Sequence, residues 1–420
     1  MAIKRRQFIK RGVTFVSLSL ATSHMMMQTS NTGNSVFAQA SNLSGENRML
    51  VVVQLGGGND GLNTVVPYGN GLYYDARPML AIPQEQVLAL DNQIGLNPNL
   101  KTFKSWFDEG KLAVVQGVGY PNPNRSHFRS TDIWETANPE TVVGTGWLGR
   151  YLDRTLCEND CTNQIPAAAV GGLLPLSLRG EQVVVPSIAN LETFQFQTNQ
   201  RYPQDRQAQV DAITAINEVT GNGASYDALV ANTGLTAIRN ADTIQTATAN
   251  YSSAVEYPQN PFASGLQLLA KLIAGGLSTQ IMHVSIGGFD THSQQAQDHV
   301  GLLQAVDTGL AAFYQDLVQM GVADDVLLMT FSEFGRRVRE NGSLGTDHGT
   351  AAPMFVMGNP AQGGLFGAHP SLNASDLDDN EDMVFQVDFR SVYSTVLESW
   401  LGVEPTDVLG ARYENLGFVK

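Results

Sequence analysis

The sequence has few basic residues, few cysteines and no long apolar segment. Lys and Arg number 25 against 40 Asp and Glu, giving a formal net charge of −15, and no basic run of note follows the first residues. This balance argues against a nucleic-acid partner and against docking on anionic lipid, because both need clustered positive charge. The Lys-bearing phosphate-loop pattern is also absent, which disfavours a phosphate loop of that kind. The apolar content of 43% still provides ample material for a core.

Residues 1–40 are predicted to be a cleaved twin-arginine export signal. Arg5-Arg6 lies in a basic start, a stretch without charged side chains runs from Gly12 to about Met27, and Ala38-Gln39-Ala40 has the small-x-small cleavage pattern. An uncleaved membrane anchor is the alternative, but the stretch contains Ser and Thr and is shorter than the roughly 20 apolar residues of a span. We expect export by the twin-arginine machinery, a periplasmic or secreted location, and no stable membrane span after cleavage. Cleavage would remove five basic and no acidic residues, which makes the mature chain still more acidic.

The two cysteines, Cys157 and Cys161, flank a polar loop of three residues. In an oxidising compartment the simplest interpretation is a short local disulfide, provided that its geometry is attainable. As a metal-binding pair they would be incomplete. We therefore favour the disulfide.

Strand-like and helix-like segments alternate along residues 41–420. Continuous apolar runs of the kind found in buried parallel strands are Met49–Leu55, Leu112–Gln116, Ile281–Ile286, Val326–Phe331 and Met354–Met357. Helical patterns lie between them at Leu100–Glu109, Gly265–Gly275 and Ser293–Met320. This alternation predicts one α/β domain with a mostly parallel central sheet and helices on both faces.

The segment 199–260 differs in composition from its surroundings. It is rich in Gln, Asn, Ala and Thr and contains no strand-like apolar run. We expect a mostly helical insertion in the domain, which is either a lid over the functional site or a surface insertion without a chemical role.

Ionisable residues follow several of the predicted strands. Ligands of open α/β sheets collect beyond the carboxyl ends of the strands, where loops from several strands meet. Asp60 comes directly after the first strand in Gly56-Gly57-Gly58-Asn59-Asp60-Gly61, where glycines allow a sharp turn and a close approach to a ligand. Its carboxylate is a candidate ligand for a divalent ion, and a turn without chemistry is the alternative.

Further candidate metal ligands lie in three later segments. Asp290 and His292 follow the strand that begins at Ile281 and would project similarly if the chain there is extended. Glu333 follows the next strand, where a salt-bridge partner is the alternative, and Asp347-His348 immediately precedes the last strand.

Three other histidines are interpreted separately. His283 and His299 are predicted to be structural, and His369 is left open as a peripheral ligand.

Ser126 is the candidate nucleophile, within Asn124-Arg125-Ser126-His127-Phe128-Arg129. A metal ion beside a serine can deprotonate it for attack on phosphorus or sulfur, and Arg125 or Arg129 would stabilise charge on the transferred group. A helix N-cap is the alternative role for Ser126. Ser130, Thr131 or Asp132 fits that cap better.

These motifs together resemble a family of exported bacterial proteins, domain-of-unknown-function family 1501. The segments that carry the resemblance are the twin-arginine leader, Gln54–Gly61, Arg125–Phe128, Gly288–His292, Ser332–Arg336 and Gly345–Gly349. Their order more distantly resembles the alkaline phosphatase and sulfatase superfamily, whose members hold metal around a Ser, Thr or modified Cys nucleophile. The resemblance implies an alkaline phosphatase-like fold.

The superfamily resemblance also implies roles for single residues. Asp60 resembles its early metal aspartate, and Ser126 occupies the place of its nucleophile. Asp290 and His292 resemble the later ligands of the first metal, although the superfamily commonly spaces them about four residues apart. Glu333 stands where an Asp-His pair is usual, and His348 resembles the final histidine. In an alternative alignment Asp347-His348 is that pair, and His369 becomes the late histidine.

The sequence thus predicts a metal-dependent hydrolase of phosphate or sulfate esters with a serine nucleophile. One or two divalent ions are expected, Zn or Mn, because the candidate ligands mix carboxylate and imidazole. The alternative is a non-catalytic exported surface or polysaccharide-binding protein that retains the fold.

Overall fold

The computed structural model describes residues 48–156, 165–195, 205–220 and 226–420. The predicted export signal, Cys157 and Cys161 lie outside the described residues. The signal and the disulfide therefore stay predictions.

Five long strands and several short ones occur in the described part of the chain. In chain order they are β1 (Met49–Leu55), β2 (Val65–Val66), β3 (Leu88–Ala89), β4 (Gly95–Leu96), β5 (Leu112–Gly119), β6 (Ala167–Val170), β7 (Ser187–Ile188), β8 (Ile281–Ile286), β9 (Val326–Phe331), β10 (Ala352–Met357), β11 (Gly364–Phe366) and β12 (Val387–Asp388). The five strands predicted from apolar runs are confirmed as β1, β5, β8, β9 and β10. Strand β6 was missed because alanine, which supplies most of it, has little preference for strands.

The central sheet is mostly parallel, as predicted. Its order is β11-β5-β10-β9-β1-β8-β6-β7, and β12 also pairs with β5. Strand β1 pairs in parallel with β8 and β9, and the outer strands continue the same direction on each side. A small separate sheet is formed by β2, β4 and β3. The α/β fold class is therefore confirmed.

Strand β10 is the antiparallel member of the central sheet, pairing with β5 and β9. A parallel return would need a crossover of about a dozen or more residues, usually a helix. The connection from Phe331 to Ala352 contains no helix, so the chain turns at the same edge and runs back. The start of β10 consequently lies at the edge where β5, β9, β1 and β8 end.

Helices cover both faces of this sheet. In chain order the described α-helices are α1 (Gly61–Thr64), α2 (Gly71–Ala76), α3 (Lys101–Asp108), α4 (His127–Thr136), α5 (Trp147–Leu156), α6 (Arg206–Thr220), α7 (Tyr226–Thr248), α8 (Pro261–Ala274), α9 (Gln295–Met320), α10 (Phe389–Thr395) and α11 (Pro405–Leu409). A π-helical turn, Val396–Trp400, continues α10. The three helices predicted from the sequence are confirmed as α3, α8 and α9.

Alternation along β1 divides the core into two layers. Val51 and Val53 belong to the layer formed with α3, α8 and α9, whereas Leu50 and Val52 belong to the layer formed with α4, α5 and α10. Successive side chains of a strand point to opposite faces, and both faces of β1 are apolar. The continuous apolar run in the sequence follows from this double burial.

The predicted insertion at 199–260 contains α6 and α7 where it is described. Ala241 and Ile244 of α7 are buried in the core layer that contains α8. A role as a lid stays a prediction. Within the described residues, none of the helices combines the length and apolar character needed to cross a bilayer.

Glu135 of α4 is a buried carboxyl whose ionisation opposes folding. Burial raises the pKa of Glu135 to about 7 from an ordinary 4.5, although the Leu176 amide donates a hydrogen bond to its Oε2 at 2.6 Å. Between these two values the folded protein holds a proton that the unfolded chain has released, so this contribution to stability is lost as the pH rises. We expect Glu135→Gln to increase the free energy of unfolding by up to about 3 kcal/mol near pH 8 and hardly at all near pH 4, as measured by urea denaturation. The exposed Glu140→Gln serves as control, and an equal gain at both pH values would contradict the explanation.

Candidate metal centre

The chemistry-bearing loops meet at one edge of the sheet. The ends of β5, β9, β1 and β8 and the start of β10 belong to strands that are adjacent in the sheet order. His127 follows β5, Asp290 follows β8, Glu333 follows β9, and His348 precedes β10. The antiparallel direction of β10 is what brings His348 to this edge.

Four side chains converge there, and we call them the Asp290 cluster: His127, Asp290, His292 and His348. Ligand atoms of His127, Asp290 and His348 all lie within 4.8 Å of one another. The Nε2 atoms of His292 and His348 lie 3.0 and 3.1 Å from Asp290 Oδ1, and His127 Nε2 lies 3.4 Å from Asp290 Oδ2. Three imidazoles therefore direct the same ring nitrogen toward one carboxylate.

The opposite nitrogen of each imidazole is held by an oxygen acceptor. The three Nδ1 atoms face Glu333 Oε1 at 2.8 Å for His127, Asp347 Oδ1 at 3.2 Å for His292 and the Arg125 carbonyl oxygen at 2.9 Å for His348. A carbonyl or an ionised carboxylate only accepts, so each Nδ1 carries the proton and donates it. In a neutral ring this leaves a lone pair on Nε2, and such outer partners are typical of histidines that bind metal.

Lone pairs consequently face one another inside the cluster. The Nε2 atoms of His292 and His348 are 3.0 Å apart, and both adjoin the acceptor Asp290 Oδ1. Arg336 is one donor to this oxygen, at 2.7 Å. A proton or a cation at the centre would turn the mutual repulsion of these groups into attraction. Imidazole and carboxylate groups at such distances fit a transition-metal ion.

The cluster is open on one side. The side chains of Asp290 and His292 are 46% and 43% exposed, and those of His127 and His348 are 33% and 23% exposed. Structural metal sites enclose their ion, whereas catalytic sites leave a position for water or substrate. The exposure matches the second kind of site.

Local charges keep Asp290 ionised. Partial burial alone would raise the pKa of Asp290, but the hydrogen bond and the positive charge of Arg336 lower it to about 2. Burial lowers the pKa of His348, which favours its neutral form. Both effects keep ligand atoms available near neutral pH.

Arg336 braces the loops that carry the cluster. Its guanidinium is buried and donates to carbonyl oxygens of three loops: Gly57 and Gly58 (2.6 Å) after β1, Phe289 (3.1 Å) after β8, and Thr346 (2.8 Å) before β10. These bonds fix the position of the Asp290 loop relative to the His348 loop.

The glycine turn after β1 also supports the Asp290 loop. Gly57 has a φ of +119°, and a Cβ atom there would lie 2.5 Å from the Asp290 backbone nitrogen. Its own N–H donates to Glu333 Oε1 at 2.8 Å. The close approach predicted for these glycines is thus made to a neighbouring loop of the protein.

Asp60, predicted as a metal ligand, does not join the cluster. It is fully buried, pairs with Arg77 Nη1 at 2.5 Å, accepts from Gln295 and caps α1 through the Leu62 amide. Burial would raise the pKa of Asp60, but Arg77 outweighs it and the net shift is downward. Its oxygens are therefore taken by donors of the protein.

Glu333 and Asp347, also predicted as ligands, lie outside the cluster, and each contacts one of its histidines. They accept from His127 and His292, and Asp347 accepts a further bond from Asn341 at 3.1 Å. Their observed contacts orient imidazoles.

Ser126 stands at the N-cap position of α4 and is exposed. The expectation that Ser130, Thr131 or Asp132 would cap this helix was wrong, because the helix already begins at His127. The Ser126 side chain nevertheless makes no capping hydrogen bond.

The two predicted catalytic arginines are engaged elsewhere in the structure. Arg125 pairs with Asp382, and Arg129 donates to the Pro139 carbonyl oxygen at 3.1 Å.

The other histidines of the described residues, His283, His299 and His369, lie outside the cluster. His283 and His299 are buried, and burial lowers the pKa of each to about 4. His299 Nε2 contacts Asn59 Oδ1, and His369 Nδ1 contacts the Pro370 carbonyl oxygen.

His127 was not predicted as a ligand, although Arg125, Ser126 and Arg129 of the same segment were predicted to be catalytic. The available signal was an imidazole just after the end of β5, at the edge that collects the other ligands. Its neighbour Ser126 took the chemical role in the sequence interpretation.

The family profile described as "Protein of unknown function (DUF1501)" matches residues 105–410, well over half of the chain. The chain belongs to this family. The family resemblance inferred from the motifs is confirmed. No curated protein sequence matches the chain.

Several solved structures share part of the DUF1501 protein's architecture. The PsFucS1 sulfatase from Pseudoalteromonas sp. is 11% identical, with 89% of this chain and 74% of that chain covered and a TM-score of 0.36. A protein in the alkaline phosphatase superfamily from Vibrio parahaemolyticus is 8% identical, with coverages of 79% and 64% and a TM-score of 0.35. The alkaline phosphatase from the Antarctic bacterium TAB5 is 10% identical, with coverages of 76% and 94% and a TM-score of 0.31. At TM-scores this low, the similarities carry no inference about activity.

Proposed function

We propose that this DUF1501 protein is an exported metal-dependent hydrolase of phosphate or sulfate esters. The supporting observation is the Asp290 cluster, in which three imidazoles held at Nδ1 direct Nε2 lone pairs toward one carboxylate. Such an arrangement is unfavourable without positive charge at its centre. A divalent ion among His127, Asp290 and His348, whose ligand atoms all lie within 4.8 Å of one another, would supply that charge.

Zinc or manganese is the proposed ion, because the candidate ligands combine imidazole with carboxylate. A divalent ion in an open site lowers the pKa of a bound hydroxyl group and neutralises charge on a phosphate or sulfate group. One ion is proposed rather than two, since the carboxylate of Asp60 is occupied by Arg77 and Gln295.

Ser126 is the proposed nucleophile. It immediately precedes the candidate ligand His127 and is exposed. Its side chain makes no capping hydrogen bond at the start of α4. The bond from His127 Nδ1 to Glu333 fixes the neighbouring ring. A serine beside an ion can form a covalent ester intermediate that water then hydrolyses.

Purified protein loaded with zinc or manganese tests this proposal. We expect about one ion per chain by elemental analysis, and hydrolysis of at least one of p-nitrophenyl phosphate, bis(p-nitrophenyl) phosphate and p-nitrophenyl sulfate. We expect Ser126→Ala to lower kcat by about 10³-fold and to leave the metal content unchanged, because serine supplies the attacking oxygen and no ligand atom.

Ser343→Ala, at another exposed serine near this edge, is the matched control and should keep full turnover. Unchanged turnover in Ser126→Ala would refute the serine mechanism alone. Metal-loaded protein without activity on any of the three esters would refute the hydrolase and favour the non-catalytic polysaccharide-binding alternative.

A further inference from the structure

A second feature of the sheet edge is a cavity of about 440 Å³ that adjoins the Asp290 cluster. Phe334 lines it, and the centroid of this ring lies 4.8 Å from that of His127 and 4.6 Å from that of His348. Arg125 also lines it and accepts from His348 Nδ1 through its carbonyl oxygen. The cavity and the cluster therefore share walls.

The cavity has the size and lining of a site for a small organic molecule. Its volume falls in the range of roughly 300–1,000 Å³ that such sites occupy. Tyr120, Phe334 and Phe385 provide aromatic side chains, and Met383 extends the apolar lining. Aromatic faces attract cations through their negative quadrupole.

The charges around the cavity leave an excess of one carboxylate. Asp378 and Asp382 are neutralised by Arg125, which pairs with both, and by Arg337, whose Nε lies 3.8 Å from Asp382 Oδ1. Asp379 lines the cavity and is exposed, and it has no hydrogen bond or ion pair within the described part of the chain. This single unpaired carboxylate on the cavity wall favours a positive ligand.

We propose that this cavity binds an organic cation, an alkylammonium group with apolar surface. The aromatic lining would contact the apolar part of the ligand, and Asp379 would pair with its positive charge. If the function proposed above holds, on which this role rests, the cation belongs to the alcohol portion of the ester. The preferred substrate is then a zwitterionic ester of an amino alcohol.

Calorimetric titration with choline chloride tests the cavity without requiring activity. We expect choline to bind metal-free wild-type protein, and the neutral isostere 3,3-dimethylbutan-1-ol to bind at least about fivefold more weakly. Asp379→Asn should weaken choline binding by about three- to fivefold, because it removes one partly solvated charge. Glu381→Gln, on the same loop but outside the cavity lining, should leave it unchanged.

Several outcomes would overturn the proposal. They are an absence of choline binding, equal binding of the neutral isostere, and equal weakening by Asp379→Asn and Glu381→Gln. Repeating the titration on His292→Ala, in which the metal centre is disrupted, separates the cavity from the metal. Binding retained in that variant supports the cavity, and binding lost with the histidine assigns choline to the metal centre and overturns the proposal.

Turnover then tests the substrate class. With p-nitrophenyl phosphorylcholine, the Ser126 oxygen would displace nitrophenolate from phosphorus and lose its proton to solvent. Water would then cleave the serine–phosphorus ester, which releases phosphorylcholine and restores the serine hydroxyl. We expect Asp379→Asn to lower kcat/KM for this ester by about three- to fivefold and to leave that for bis(p-nitrophenyl) phosphate unchanged. Equal losses on both esters would refute the cationic subsite. Choline binding without turnover of either ester supports the cavity while refuting the hydrolase.

Discussion

Asp290→Ala is expected to abolish metal binding and hydrolysis together. Its carboxylate is the one group that all three histidines of the Asp290 cluster approach, at 3.0 to 3.4 Å. Without it the three Nε2 lone pairs lack the negative charge that makes a divalent ion favourable at this point. We expect metal affinity to fall by more than about 100-fold and kcat/KM by about 10³-fold or more, measured by chelator competition and by initial rates.

Two further carboxylate variants make this expectation specific. Asp298→Asn removes an exposed charge from the first turn of α9 and should change neither quantity. Asp347→Asn loosens the partner of His292 but removes no ligand atom, so metal affinity should fall by an intermediate factor of about 10 to 100. If Asp290→Ala keeps the metal affinity of Asp298→Asn, the ion is not held by this cluster.

The sequence revealed the main strands because a parallel sheet buries them on both faces. Strand β1 is apolar at every position but Gln54, and its two faces enter separate core layers. The direction of β10 could not be predicted from its apolar run, because such a run looks the same in a parallel and in an antiparallel strand. What decides it is the helix-free connection from Phe331, which ends at the sheet edge where it began.

The candidate site was predictable to the extent that strand ends gather ligands. Asp290, His292 and His348 do meet, because they flank strands that share one edge. Asp60 lies at the same edge, but its carboxylate pairs with Arg77. The position of Arg77 beside it is set by tertiary packing, which no local sequence pattern indicates. His127 was missed because the start of α4, which fixes its direction, was expected a few residues later.

Arg336→Met is expected to be the most destabilising single change at the sheet edge. It removes a buried guanidinium that donates to four carbonyl oxygens and to Asp290 Oδ1, and methionine can satisfy none of them. Acceptors left buried without donors cost free energy, as does the loss of one member of an ion pair. We expect the free energy of unfolding of the metal-free protein to fall by about 3–5 kcal/mol in urea denaturation.

The neighbouring Arg337 provides the matched control. Its side chain is 40% exposed and approaches Asp382 at 3.8 Å, so Arg337→Met should cost less than about 1 kcal/mol. Arg336→Lys keeps a charge for Asp290 but cannot reach the carbonyls of all three loops with a single ammonium group. It should therefore retain part of the stability while binding metal more weakly than wild type, because the loops that place the imidazoles are no longer held together. Equal stability of the two methionine variants would show that the loops keep their arrangement without the Arg336 guanidinium.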